Sequence, residues 1–163
     1  MFCKILKFIL IIFLYYQNPL YSKSISSENF DAENLSNYFS GILALENKDN
    51  SDALNFFDSS KTLINKHDTF LKRYVTSLVL ENKVSKAINV IKQNIKKVNS
   101  NYFEAYILLI LDSINNHNFD QADIYLNNAF EVSKKSGLEL AILESLTDYI
   151  YVFKKREIKK DNK

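Results

Sequence analysis

Few side chains in this sequence are of a type that can carry out chemistry: two histidines, one cysteine and scattered carboxylates. A metal site built on histidine wants an i, i+4 pair on one helix or a third ligand close by. His67 and His117 stand 50 residues apart, each in a polar stretch between apolar runs, and read as solvated turn residues. Gly41 and Gly137 are the only glycines, so the chain has neither a glycine-rich phosphate loop nor a glycine-flanked serine elbow. The carboxylate pairs Asp31/Glu33 and Glu139/Glu144 are most simply solvated helix faces, not an acid–base dyad. The basic end (Lys154, Lys155, Arg156, Lys159, Lys160, Lys163) reads as a soluble tail, with contact to anionic lipid or an acidic partner as the alternative. No catalytic residue, metal ligand or cofactor site is expected. The chain is expected to act through its surface.

Presenting a surface requires a folded body. Of 163 residues, 47% are hydrophobic and 25% charged, the composition of one globular domain and not of a disordered tail. Two glycines and one proline are too few to punctuate an all-β fold, which favours helices joined by short polar loops.

The N-terminus stands apart. MFCKILKFILIIFLYY has Lys4 and Lys7 near its start and an apolar run from Phe8 to Tyr16, followed by Pro19 and the small-residue pattern Ser22-Lys23-Ser24. A basic start, a short apolar centre and small residues near a cut describe a secretory signal peptide. Residues 1–24 are expected to be that peptide, cleaved after Ser24 or Ser22, with an uncleaved anchor as the alternative. Residues 5–16 number only 12, against the roughly 20 that cross a bilayer. The formal charge of +2 counts Lys4, Lys7 and Lys23; without these three, the 21 basic side chains fall to 18 against 19 acidic ones, a net of −1. Nothing globally basic is left to draw nucleic acid, and none is expected as a partner. Cys3 leaves with the peptide, so the mature chain holds no disulfide. An exported, cysteine-free chain rich in Asn and Lys points to a Gram-negative periplasm; if residues 5–16 remain as a tether, the inner membrane is the alternative location.

The rest of the chain repeats. Ala53 returns as Ala87, 34 residues on, and as Ala122, 35 further. Each alanine is followed four residues later by a bulky apolar residue (Phe57, Ile91, Leu126) and three later again by a compact one (Ser60, Asn94, Ala129). Twelve residues before each stand Gly41, Val75 and Ile110, inside apolar runs that end in the polar turns ENKDN, ENK and NNHN. A period near 34 with two helix-length segments per unit is the pattern of a helical-hairpin array.

This spacing resembles the tetratricopeptide repeat (TPR). Three degenerate copies, 34–67, 68–101 and 103–136, fill residues 31–136. The first matches at Gly41, Ala53, Phe57 and Ser60. The second keeps Leu71, Tyr74, Ala87 and Ile91 but has Val75 where the family prefers a small residue. The third keeps Tyr106, Leu109, Phe119, Ala122, Leu126 and Ala129, with Ile110 at that small position. The proline that closes a family repeat is missing throughout, and Asn65 and Asn99 stand near its place. The resemblance implies an all-α, right-handed, TPR-like helical-hairpin solenoid of about seven helices behind the N-terminal segment. In such a hairpin the two helices cross closely, so the crossing needs a small side chain. The alanines supply it, and the bulky residue one turn on fills the space beside it.

Helix limits follow from the same register. The first pair is expected over Ala32–Glu46 and Ser51–Ile64, with Ser51 as N-cap. The second is expected from Asp68, as cap, to Glu81 and from Ser85, as cap or first residue, to Lys97. NSNYFEAYILLILDSI supplies the third A helix and Asp120–Lys134 its partner. A capping helix is expected over 137–155, its body from Leu138 to Lys155, before a charged tail at 156–163. Tyr149 to Phe153 are very apolar for a cap. The helix therefore either meets a second chain, giving self-association, or stands at the front of a longer array.

In the resembled family the A helices line a concave groove that receives extended peptides or partner helices. The carried-over positions are Tyr38, Ile42 and Leu45 in the first unit, Lys72, Thr76 and Val79 in the second, and Ile107, Leu111 and Ile114 in the third. Such a groove is largely apolar with one cation. The function implied is a protein-binding scaffold of the cell envelope, anchored on a few aliphatic and aromatic contacts. The alternatives are a membrane-tethered envelope assembly factor and the front part of a longer TPR protein or hydrolase.

Overall fold

The computed structural model describes residues 31–67, 69–95 and 101–161, with side chains through Lys155, and among these residues there is helix and no strand. Seven α-helices follow in order: α1 (Ala32–Glu46), α2 (Asn50–Ser59), α3 (Phe70–Leu80), α4 (Val84–Asn94), α5 (Phe103–Asn115), α6 (Phe119–Val132) and α7 (Gly137–Asp161). A 3-10 turn, Lys61–Asn65, follows α2. The all-α expectation holds. The signal segment 1–24, the tether 5–16, the Asp68 cap and the expected helix end at Lys97 lie outside the described residues.

The same turn closes α1, α3 and α5. Lys48, Asn82 and His117 take left-handed backbone, with φ of 64°, 55° and 55°. The N–H of the next residue reaches back to a carbonyl in the helix just ended: Asp49 to Ala44 at 2.9 Å, Lys83 to Leu78 at 2.8 Å, Asn118 to Ser113 at 2.8 Å. This is the Schellman closure, here without the usual glycine. The same three residues then accept from the N–H groups of Ala53, Ala87 and Ala122, each at 3.0 Å. Backbone bonding therefore carries the period that the side chains show.

The caps depart from expectation. Asp49, not Ser51, caps α2, its carboxylate accepting from Asp52 N–H at 3.3 Å. Asn118 caps α6 by accepting from Gln121 N–H at 3.1 Å. At the equivalent position of α4 stands Lys83, which has no acceptor to offer, and Ser85 falls inside the helix. The second helix of the first pair also ends early, at Ser59, before the 3-10 turn. Buried Ser60 turns its hydroxyl back to the Phe56 carbonyl at 2.8 Å, competing with helical continuation.

Each helix packs on its neighbour in sequence, and α1 also meets α3. The repeated positions all point inward. Ala53, Ala87 and Ala122 are each 0% exposed, and Gly41, Val75 and Ile110 are buried with Phe57, Ile91 and Leu126. Each large side chain of that set stabilises the fold by about 1.5–3 kcal/mol on burial. Between the first and second hairpins, Asp58 of α2 gathers Lys61 (2.7 Å), the Tyr74 hydroxyl (2.5 Å) and Lys86 of α4 (3.3 Å).

α7 buries part of its apolar surface. Leu143 and Ile150 are buried, and Leu146 and Phe153 pack against the core, a 3-4-3 stripe along one face. Phe153 stacks on Phe119 of α6 at 6.2 Å, and Lys154 bridges Asp120 and Asp123 at 2.7 Å each. The helix does not stop at Lys155 as expected but runs to Asp161. Arg156 to Asp161 contains no glycine or proline, and Arg, Glu and Lys are strong helix formers.

Candidate partner-binding trough

Side chains one turn apart on α3, α5 and α7 share a face and leave a depression between the helices. Val75, Thr76, Val79 and Leu80 of α3 face Phe103, Ile107 and Leu108 of α5 across a cavity of about 340 Å³, with Ile142 of α7 at its edge. A second cavity, of about 380 Å³, lies between Ile107 and Leu111 of α5 and Ala141, Ile142, Ser145 and Leu146 of α7. Ile107 and Ile142 line both, so the two cavities adjoin as one apolar trough. A concave, mainly apolar lining with few polar groups is the usual character of a binding site.

Polar residues join the lining at Thr76, Tyr102, Glu104 and Ser145. Glu104 is the charged residue of the lining, and Lys72 pairs with it at 2.7 Å. Partial burial pushes the Glu104 carboxyl up, but the Lys72 hydrogen bond, a backbone hydrogen bond and the charges of Lys72 and Lys134 outweigh it and hold the group below its ordinary value. Lys72 Nζ also lies 5.7 Å over the Tyr102 ring. Burial, with Glu104 nearby, raises the Tyr102 phenol well above its ordinary value, so it stays a protonated donor. Among the described residues its hydroxyl is the buried side-chain polar atom left without a hydrogen-bond partner. Such a donor costs about 1–3 kcal/mol until an acceptor reaches it.

The nine residues expected on the groove divide. Thr76, Val79, Ile107 and Leu111 line the trough. Lys72 stands at its edge through Glu104. Ile42, Leu45 and Ile114 are partly buried against the core and line neither cavity. Tyr38 is not a surface residue: it is 1% exposed. Its ring lies 4.5 Å from His67, 5.6 Å from Phe70 and 6.0 Å from Phe57, and its hydroxyl bonds Thr69 Oγ1 at 2.8 Å. An amphipathic ring with its hydroxyl satisfied is more stable inside this aromatic cluster than facing water. His67 therefore belongs to a packed cluster, not to a purely solvated turn.

Sequence reasoning missed the contribution of α7. Ile142 and Leu146, four residues apart, were the available signal, obscured because α7 is apolar on several sides. Leu138, Tyr149, Tyr151 and Val152 remain exposed on it. No described helix is long and apolar enough to cross a membrane. Models of known protein families and curated proteins yield no match to this chain.

Proposed function

We propose that this chain is a right-handed TPR-like solenoid that serves as a protein-binding scaffold, holding an apolar segment of a partner in the trough across α3, α5 and α7. It acts by binding and not by catalysis. The supporting observation is that Thr76, Val79, Ile107 and Leu111, four of the nine positions carried over from the resembled family, line two cavities that meet at Ile107 and Ile142. The threefold Schellman turn at Lys48, Asn82 and His117 supports the repeat reading in the same way. With the expected signal segment, the scaffold is placed in a Gram-negative cell envelope, and its partner is an envelope protein.

Leu111 is 49% exposed, so its replacement probes the trough without emptying the core. Cross-linking from position 111 in envelope extract is expected to capture a partner that a Thr76→Arg chain does not. Identical capture by both chains rejects the trough as the binding surface. Sequencing the N-terminus of the expressed protein tests export: a start after Ser24 or Ser22 supports it, and a retained Met1 favours the tethered alternative.

A second reading, self-association through α7, draws on the exposure of Leu138, Tyr149, Tyr151 and Val152. Sedimentation that shifts with concentration in the wild type but not in Tyr151→Glu supports it. A monomer at every concentration rejects it.

A further inference from the structure

The joints between successive hairpins are not built alike. Rings cross the first: Tyr38 of α1 and Phe57 of α2 lie against Phe70 of α3, at 5.6 and 5.9 Å. Across the same joint Tyr74 of α3 donates to Asp58 of α2. A ring pair also joins α6 to α7, where Phe119 stacks on Phe153 at 6.2 Å. Among the described residues no ring pair crosses the joint between the second hairpin (α3, α4) and the third (α5, α6). Instead the cavity of about 340 Å³ opens there between α3 and α5, and the buried Tyr102 hydroxyl in its lining has no hydrogen-bond partner. Atoms that line a gap forgo the dispersion contacts of a packed joint, and a buried donor left unpaired opposes the closed arrangement.

Two ion pairs span this joint. Lys72 of α3 meets Glu104 of α5 at 2.7 Å, and Lys92 of α4 meets Asp112 of α5 at 2.7 Å. Glu104 and Asp112 stand eight residues apart, about 12 Å along the helix. α5 is thus tied at two separate points, one to each helix of the second hairpin. The two ties differ in strength. The Glu104 side chain is 59% exposed and that of Asp112 only 20%. A pair in open solvent holds weakly and is screened by salt, so Lys72–Glu104 is the first to part. We propose that the joint between the second and third hairpins is a hinge, with Lys72–Glu104 as its latch and Lys92–Asp112 as its pivot. Release of the latch lets α5 swing away from α3 and widens the trough, a rigid-body motion of one packed unit against the next. Only the bearing of the hinge on a partner, through the room it gives, rests on the binding reading above.

Spin-label pairs read the joints separately. Asn55, Asn89 and Ile124 are register equivalents on α2, α4 and α6, each two residues after the repeated alanine, exposed and outside the trough. Cysteines placed there in pairs, in the full chain carrying Cys3→Ser, take nitroxides for distance measurement by double electron–electron resonance. The 89/124 pair spans the hinge, and the 55/89 pair spans the joint that rings cross. Glu104→Gln is expected to raise the population outside the main 89/124 distance roughly two- to fivefold, the change that losing one exposed ion pair allows. Wild type in about 1 M NaCl is expected to shift in the same direction, with 55/89 unchanged in both cases. Exchanging the charges, Lys72→Glu with Glu104→Lys, is expected to restore the wild-type distribution. Asp112→Asn added to Glu104→Gln is expected to broaden it further. An 89/124 distribution as narrow in Glu104→Gln as in wild type overturns the hinge. Equal broadening of 55/89 means general loosening and overturns it as well. A broadening that the exchanged charges do not reverse rejects Lys72–Glu104 as the latch, and one that Asp112→Asn does not extend rejects the pivot. No partner is present in these measurements, so their failure leaves the binding reading standing, and failed cross-linking from position 111 leaves the hinge.

Discussion

At the first helix crossing, Gly41 of α1 lies so near Phe57 of α2 that a Cβ built on it would sit 2.9 Å from the ring. At the third, Ile110 and Leu126 occupy the same two register positions, and both are buried. The first helix gains volume where the second gives some up, and Val75 stands between Gly41 and Ile110 in size. The alanine at 53, 87 and 122 does not change. The comparison separates two demands that one repeat pattern combines. The alanine is set by how closely two backbones approach, while the pair beside it varies in size from one crossing to the next. Val75 and Ile110, where they depart from the family's small residue, are partly compensated by Ile91 and Leu126, which are smaller than Phe57.

The largest test removes the ring. Phe57→Ala is expected to cost about 3–5 kcal/mol in urea unfolding, because Tyr38 and Phe70 pack on it as well; a cost near zero would place the first crossing outside the core. Transplanting volume is sharper. Gly41→Val alone is expected to cost about 1–3 kcal/mol by overpacking. Adding Phe57→Ile, which imports the second unit's pair, is expected to recover at least about 1 kcal/mol relative to the sum of the single changes. Strict additivity would break the compensation argument.

Overpacking the invariant position comes next. Ala87→Leu is expected to cost about 1–3 kcal/mol, whereas Asn89→Leu, on the exposed face, stays within about 0.5 kcal/mol of wild type. Lys86, adjacent to that alanine, is no neutral control because it bonds Asp58 across the hairpins. Asp58 itself gives a pH test. Partial burial pushes its carboxyl up, but hydrogen bonds from Lys61, Tyr74 and Lys86 together hold it below the ordinary value. A lowered carboxyl contributes stability that is present above its unfolded pKa and is lost as pH falls through the folded one. Asp58→Asn is therefore expected to flatten the decline in melting temperature below about pH 4; an unchanged slope rejects a stabilising role for the Asp58 cluster. The smallest effect concerns the turns. His117→Gly is expected to add about 0.5–1 kcal/mol by relieving left-handed backbone, and Asn82→Gly less, since asparagine tolerates that region better.

Much of this was legible in the chain itself. Apolar spacing marked α1 at Ala32–Glu46 and turned all three alanines inward, since local periodicity decides which side of a helix is buried. Four residues of the trough were among the positions that the resemblance to the tetratricopeptide repeat implied for a groove. Tyr38 shares that register with Ile107, yet it is buried because His67, Phe70 and Phe57 happen to surround it. The left-handed turns were hidden because lysine, asparagine and histidine replace the glycine that usually signals them.

The amino-acid order alone determined that helices form and which stripe of each is greasy, because those properties depend on neighbours within a turn or two. Only the folded chain decided which stripes are left bare. The Ile107–Ile142 junction, the unpaired Tyr102 hydroxyl and the ring packed on Gly41 each involve residues distant along the chain, and their exposure depends on how closely three helices approach.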